Sequence, residues 1–473
     1  MKIQNSKYIL LVFPIGVFLF FYYGLNFDGL YGQDAYEYLR YSNALKNFII
    51  TGENPGDYFW PIFYPLFGAL TSFIFQNTGF SLMLISTISV SISAYYLFKI
   101  LTLLFKNTKY PTLYVFVFFM LSPIVFKSGL LVMGDLLALC FIVLSVYHYL
   151  KFSQKKQVKH YYFIAIFSFL AFMTRYASAA ILIPFVISAS LLFFKQKNIL
   201  KHIIFITLII GLLSLPHILI RIHHSTEFLT HQWLKSWSFN NFLKHSFTTV
   251  DGTSSYFLPN IIYAFSNIFH PRFLFVGVIF IPLFLLKRIR FNHSIVFITS
   301  FILYAFFLAG IPFQNSRFLL LSFPIGLILL YPTFSYLSEL KWVKKIFYLG
   351  IVCSIIIQFI LIKKTFQSTL QRNQLEIEIT QKLKKYQNNT LYSFDIDIAL
   401  QGRGLEFDYK NLWKKRYTAL KENDLILFHP TRFQKQWQGK NPMLNFDYFN
   451  KNYSLKIIEP LPKGWKLYKV QTK

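Results

Sequence analysis

NFDGLYGQDAYEYLRYSNALKNFIITGENPGDYFWPIFYPLFGALTSFIFQNTG (residues 26–79) is the first long interruption in a chain made mostly of apolar runs. It carries Asp28, Asp34, Glu37, Glu53 and Asp57, five of the nine acids found before residue 363; the others are Asp135, Glu227, Asp251 and Glu339. Helical spacing over 35–49 sets Asp34, Glu37, Tyr38 and Tyr41 along one stripe, so Asp34 opens a short helix. Asp34-x-x-Glu37 has the form of a capping box, worth about 1 kcal/mol to a helix. The same carboxylate, flanked by aromatics at a water–lipid boundary, is also suited to accept a proton. Both readings stay open on spacing alone.

Outward from this loop the composition sets the class. The 473 residues are 55% hydrophobic and 20% aromatic but only 14% charged, with 48 Lys+Arg against 19 Asp+Glu and a net charge of +29. Nucleic-acid binders of such charge are rich in charged residues throughout. Here the cations punctuate long runs of Phe, Ile and Leu, the pattern of a polytopic membrane protein. Nucleic acid is excluded as a partner and membrane lipid takes its place. Cys140 and Cys353 both lie inside apolar runs, so neither a disulfide framework nor a cysteine metal site is expected.

Apolar runs near 8–25, 80–98, 110–126, 134–150, 160–174, 176–194, 202–220, 269–286, 294–310, 318–337 and 346–362 predict about 11 transmembrane helices. With the N-terminus cytoplasmic, six basic clusters face inward: Lys2/Lys7, Lys99/Lys106/Lys109, Lys151/Lys155/Lys156/Lys159, Lys195/Lys197/Lys201, Lys287/Arg288/Arg290 and Lys341/Lys344/Lys345. They hold 18 of the 27 basic residues before 363, as the positive-inside rule requires. Every acid of this part except Glu339 then faces out. Residues 61–76 are apolar enough to cross, but a crossing there would invert all later clusters, so an interfacial or re-entrant helix is expected. Residues 161–194 are read as a hairpin turning at Arg175.

The expected architecture is an all-α membrane domain over 1–362 and an external soluble α/β domain over 363–473. The latter opens with a helix over 366–386. Strands are expected in NTLYSFDIDIAL, NDLILFHP, YSLKIIEP and GWKLYKV, the last two joined by a Leu-Pro-Lys-Gly turn, with a helix around YKNLWKKRYTAL (409–420). Asp395 and Asp397 alternate as acids on a solvated strand face do. In the outer loop 221–268, His223, His224, Glu227 and His231 include i,i+4 spacings open to a divalent cation, though without an HExxH order. Trp233 and Trp237 lie one turn apart, as interfacial anchors do.

GQDAYEYLRYSNAL (32–45) followed by WPIFYPLFGAL (60–70) resembles the first external loop of GT-C-type glycosyltransferases, most closely the protein O-mannosyltransferase and aminoarabinose-transferase-like branch. LLVMGDLLALCFIV (130–143), FLAFMTRYAS (169–178) and QNSRFLLLSFP (314–324) are similar to later elements in the same order. The resemblance covers roughly residues 1–345. It implies an enzyme of the cytoplasmic (inner) membrane and cell envelope that moves a sugar from a polyprenyl-phosphate donor to an acceptor outside. By it, Asp34 is the catalytic acid of the first loop and assists deprotonation of the acceptor hydroxyl. Asp135 is the second-loop acid that organises the site. Arg317 and Arg175 lie near the donor phosphate, Arg175 standing where relatives often carry Lys. Glu37, Tyr38 and Tyr64 are expected to line the acceptor side. Protein, glycolipid and polysaccharide acceptors all stay open, as does a divalent cation.

Each residue also has a structural reading: Asp135 as a helix cap, Arg175 and Arg317 as snorkelling span ends. A polysaccharide polymerase or ligase is the alternative enzyme, kept by the His-rich outer loop. A lipid or sugar transporter fits less well, because the charges sit at span ends and no repeated halves are visible.

Overall fold

The computed structural model describes residues 7–105, 110–221, 235–249, 252–287, 291–340 and 344–471. The chain forms two compact units: Met1–Leu25 with Tyr41–Gln367, and Asn26–Arg40 with Ser368–Lys473. The cut expected at 362/363 falls inside one continuous helix, Lys344–Leu383. The start of the first loop clusters with the C-terminal residues, which no local pattern announces.

The first unit is helical, and every expected span contains a helix. Thr78–Leu104, Asp135–Lys155, Ile199–Ile220 and Lys344–Tyr386 are long and apolar enough to cross a membrane. Pro111–Met120 and Pro123–Gly129 would add a fifth as one broken span, bent by 73°. Ser122 and Pro123 cause that break, since proline lacks the donor to continue the ladder. The other apolar helices are shorter, among them Ile9–Gly24, Phe63–Phe75, Val158–Thr174, Ser178–Phe193 and Ser294–Ala309. The span expected over 269–286 is helical only over Gly277–Lys287, because Pro271 and a run of turns occupy its start.

Burial separates the helices by role. Asp135–Lys155 has 72% of its apolar window buried, whereas Ile199–Ile220 has 11% and leaves most of its apolar side chains exposed, as a lipid-facing helix does. Helix Thr78–Leu104 packs through small hydroxyl residues, which allow close approach in membranes. Its Thr87 hydroxyl donates to the Gly129 carbonyl at 2.9 Å and its Ser86 to Met133 O at 3.2 Å. Phe63–Phe75 packs against the same helix at Gly68. A Cβ there would stand 2.4 Å from Leu82 Cδ2 and 2.8 Å from Ser42 Oγ. Gly68→Ala is therefore expected to cost about 1–3 kcal/mol by overpacking, read as a lowered thermal midpoint in detergent. An unchanged midpoint would show that this packing gives way freely.

Strands β1 (Ser246–Thr249) and β2 (Gly252–Ser255) form an antiparallel pair between helices Ile199–Arg221 and Asn260–Ala264. The second unit is built on a five-stranded mixed sheet of β3 (Thr390–Ser393), β4 (Asp408–Asn411), β5 (Leu425–Phe428), β6 (Ser454–Pro460) and β7 (Lys466–Gln471). Their order is β4-β3-β5-β7-β6. β3 runs parallel to β4 and β5; β7 pairs antiparallel with β5 and β6. β5 is buried at all four residues, as a strand covered on both faces must be. The Leu-Pro-Lys-Gly turn joins β6 to β7, with Lys463 and Gly464 at positive φ.

Two expectations fail in this unit. Residues 409–420 form β4 and an irregular segment instead of a helix. The Asn411 side chain accepts from the Trp413 and Lys414 amides, and Asn445 holds the segment at Leu412 O, Lys415 O and the Tyr417 amide. These side-chain bonds satisfy the backbone in place of a helical ladder. Asp395 and Asp397 are not a solvated strand face. Asp395 lies past the end of β3 at φ 72° and pairs with Arg372 and Arg432, while Asp397 is buried in a hydrogen bond from Asn411.

Candidate active site

Asp135 is the most buried acid of the first unit among the described residues, 1% exposed, at the first position of helix Asp135–Lys155. The cap position is Gly134 and no side chain caps the helix, so Asp135 is not the N-cap considered above. Its oxygens are divided between two guanidiniums. Arg175 donates to Oδ1 through Nε at 2.9 Å and through its Nη2, and Arg317 donates to Oδ2 from Nε at 3.1 Å and Nη2 at 3.0 Å. With the arginine side chains only 16% and 18% exposed, neither snorkels to water. A buried carboxylate is tolerable only when paired and fully hydrogen-bonded, and two forked donors beside a helix N-terminus meet that requirement.

Local sequence sets each partner. Helix Val158–Thr174 stops at Arg175, which is extended (φ −150°, ψ 111°), and the chain resumes as helix at Ser178. Arg317 opens a short 3₁₀ turn, Phe318–Leu320. The Asn315 side chain accepts from the Arg317 amide, Tyr304 donates to Phe318 O at 2.7 Å, and Asn267 donates to Leu319 O. Asp135 is fixed from behind. Tyr64, buried in helix Phe63–Phe75, bonds to Leu82 O and Ser86 Oγ, and Ser86 in turn holds Met133, two residues before Asp135. Tyr64 thus supports the segment that carries the acid.

Two further cations, not singled out in the sequence, lie in the same unit. Lys127 lies in the electrostatic field of both Arg272 and Arg317. The Arg272 carbonyl accepts from the Ile124 amide and the Ser122 hydroxyl, which docks its turn on the start of helix Pro123–Gly129. The signal available was the short list of cations outside the basic clusters, which includes both. Arg175 and Arg317, mostly buried and aligned by one carboxylate, are guanidiniums of the kind that recognise an oxyanion such as a phosphate.

In the second unit, Asp34 stands in the first turn of helix Gly32–Thr51 and is partly exposed. The helix begins two residues earlier than the spacing implied. Glu37 turns to Arg40, with hydrogen bonds of 2.6 and 2.8 Å on the surface. The capping-box geometry is therefore absent: Asp34 lies inside the helix, and Glu37 is taken by its i+3 neighbour. Tyr38 is buried, 2% exposed. His223, His224, Glu227, His231 and Trp233 lie outside the described residues. Among the described residues, no group of three or more His, Cys, Asp or Glu could hold a metal ion.

The fold is of the ArnT-like GT-C type, mostly helical with a small C-terminal sheet. The particular likeness is to ArnT from Cupriavidus metallidurans. Its crystal structure bound to undecaprenyl phosphate is similar at 11% identity over 97% of both chains, with a TM-score of 0.60. Its apo structure matches at 11% identity over the same coverage with a TM-score of 0.58. The sequence profile described as dolichyl-phosphate-mannose-protein mannosyltransferase matches residues 60–220, which include Asp135 and Arg175. No curated protein sequence matches the chain.

Proposed function

We propose that this chain is an integral-membrane glycosyltransferase that moves a sugar from a polyprenyl-phosphate donor to an acceptor hydroxyl on the outer face of the cytoplasmic membrane. The observation that carries this reading is the buried Asp135 shared by Arg175 and Arg317. The leaving group of such a reaction is a lipid phosphate, whose developing negative charge a preorganised set of cations stabilises. Asp135 keeps the two guanidiniums aligned and partly neutralised until the phosphate arrives.

In this reaction the acceptor oxygen attacks the anomeric carbon as the carbon–oxygen bond to the phosphate breaks. The hydroxyl proton passes to Asp34, and the electron pair of the broken bond leaves on the phosphate held by Arg175 and Arg317. Attack opposite the departing phosphate inverts the anomeric centre. Glu37 and Tyr38 line the acceptor side, with eleven spans, a cytoplasmic N-terminus and an external C-terminal domain. The charge distribution and the ArnT-like fold support this arrangement.

The test uses the full chain purified in detergent with a panel of polyprenyl-phosphate sugars and hydroxyl acceptors. Transfer with release of polyprenyl phosphate and inverted product is expected for at least one donor. Binding of free polyprenyl phosphate by neither the wild type nor any charge-preserving variant would sink the donor assignment.

A further inference from the structure

The C-terminal residues of the second unit do more than pack on one another. Arg403, at the end of helix Asp397–Gly402, pairs with Asp28 through both terminal nitrogens and donates from Nε to the Tyr36 hydroxyl at 3.1 Å. Its guanidinium also lies 5.7 Å from the centre of the Tyr36 ring. Tyr36 donates to Glu376 Oε2, and Glu376 accepts from Arg372 through its other oxygen. Arg372 and Arg432 both bond Asp395. Asn373 adds bonds to Asp28 Oδ1 at 2.6 Å and to the Leu30 carbonyl at 2.7 Å. Three carboxylates (Asp28, Glu376, Asp395) face three guanidiniums (Arg372, Arg403, Arg432), so the charges of the set balance. The side chains of Arg403 and Glu376 are 9% and 3% exposed.

These bonds grip the first loop on both sides of Asp34: at Asp28 and Leu30 before it, and at Tyr36 two residues after. Gly29 and Gly32 both sit at positive φ, a conformation glycine reaches with the least restraint on the chain. The fit is close on the far side too, since a Cβ on Gly402 would stand 2.5 Å from Tyr36 Cδ1. Burial, then the Glu376 carboxylate, raises the Tyr36 phenol well above its ordinary range, which keeps it a donor to Glu376.

We infer that Arg403 is a positioning residue for sugar transfer: through Asp28 and Tyr36 the C-terminal domain fixes the turn that presents Asp34. This rests on Asp34 being the base. A base displaced by about 1 Å loses roughly 10²-fold in rate, so the domain is a working part of the catalytic loop.

The experiment compares the full-length wild type with Arg403→Gln, Arg403→Lys and Tyr36→Phe in detergent. Transfer kinetics and amide hydrogen exchange are read on the same preparations. Arg403→Gln is expected to lower kcat about 10- to 100-fold while donor KM moves less than about threefold, because the phosphate contacts lie elsewhere. Exchange should quicken across residues 27–38, with β3 and β5 keeping wild-type protection. Arg403→Lys should recover part of kcat, since charge returns without the fork. Tyr36→Phe, which keeps the ring, should act in the same direction by a smaller factor. Wild-type exchange over 27–38 in both Arg403→Gln and Tyr36→Phe would overturn the inference. So would loosening that spreads through β3 and β5, which marks a purely structural role. Should Asp34→Asn keep the wild-type rate, the base assignment falls, and the exchange arm alone decides whether the grip exists.

Discussion

Asp34→Asn is expected to lower the rate of transfer by about 10²–10⁴, the usual contribution of a positioned general base. The substitution keeps side-chain size and one acceptor oxygen, so helix Gly32–Thr51 should form as before. What it removes is the ability to take a proton from the acceptor hydroxyl. The loss should therefore appear in kcat, with the donor KM unchanged, because an interaction made only in the transition state has gone. Asp34→Glu retains a carboxylate displaced by one methylene and is expected to fall between the two. Steady-state kinetics with a saturating polyprenyl-phosphate sugar decide the matter. A wild-type kcat for Asp34→Asn would move the base to another residue.

How far the sequence discloses this machinery depends on how unusual each residue is in its surroundings. Asp135, Arg175 and Arg317 stand out because charge is scarce in apolar sequence, and the fold brings all three to one point. Lys127 and Arg272 belong to the same scarce set, but nothing in their neighbours shows that a bent helix and a proline turn converge. Tyr64 reads as part of a loop motif, yet its hydroxyl is spent on Leu82 and Ser86. The network around Arg403 is invisible from sequence. Asp28 and Arg403 are 375 positions apart, and both lie in polar stretches where a charge attracts no notice.

In the C-terminal unit, short-range chemistry is readable and long-range chemistry is not. The β6–β7 hairpin follows from its Pro-Lys-Gly turn. The helix expected at 409–420 fails because Asn445, some thirty residues on, supplies the bonds that a helix would have made internally. Asp395 and Asp397 mislead for a similar reason, since the first-turn position of Asp397 and the left-handed turn at Asp395 replace the expected strand.

Asp135→Asn is the second large effect, and it falls on stability before it falls on rate. The amide keeps one carbonyl acceptor, but its NH₂ meets the donors of an arginine, and two mostly buried guanidiniums lose their shared counter-charge. Removing one partner of such a group typically costs about 3–5 kcal/mol. The thermal midpoint in detergent should therefore drop well below that of the wild type. The same change makes the centre more positive, so a lipid phosphate should bind more tightly and can stand in for the missing carboxylate. A ligand present at about 100 times its Kd adds roughly 2.7 kcal/mol, and each tenfold gain in affinity adds about 1.4 more. Free polyprenyl phosphate is thus expected to raise the midpoint of Asp135→Asn by more than it raises that of the wild type, and to inhibit any residual transfer more strongly. A neutral polyprenol of the same length should give neither effect. If the variant is as stable as the wild type, Asp135 is not the counter-ion of Arg175 and Arg317. If polyprenyl phosphate stabilises both proteins equally, the phosphate does not occupy this centre. The proposed function thus places opposing demands on Asp135: it holds the two arginines in place in the resting protein, and it would weaken their hold on a phosphate that must leave.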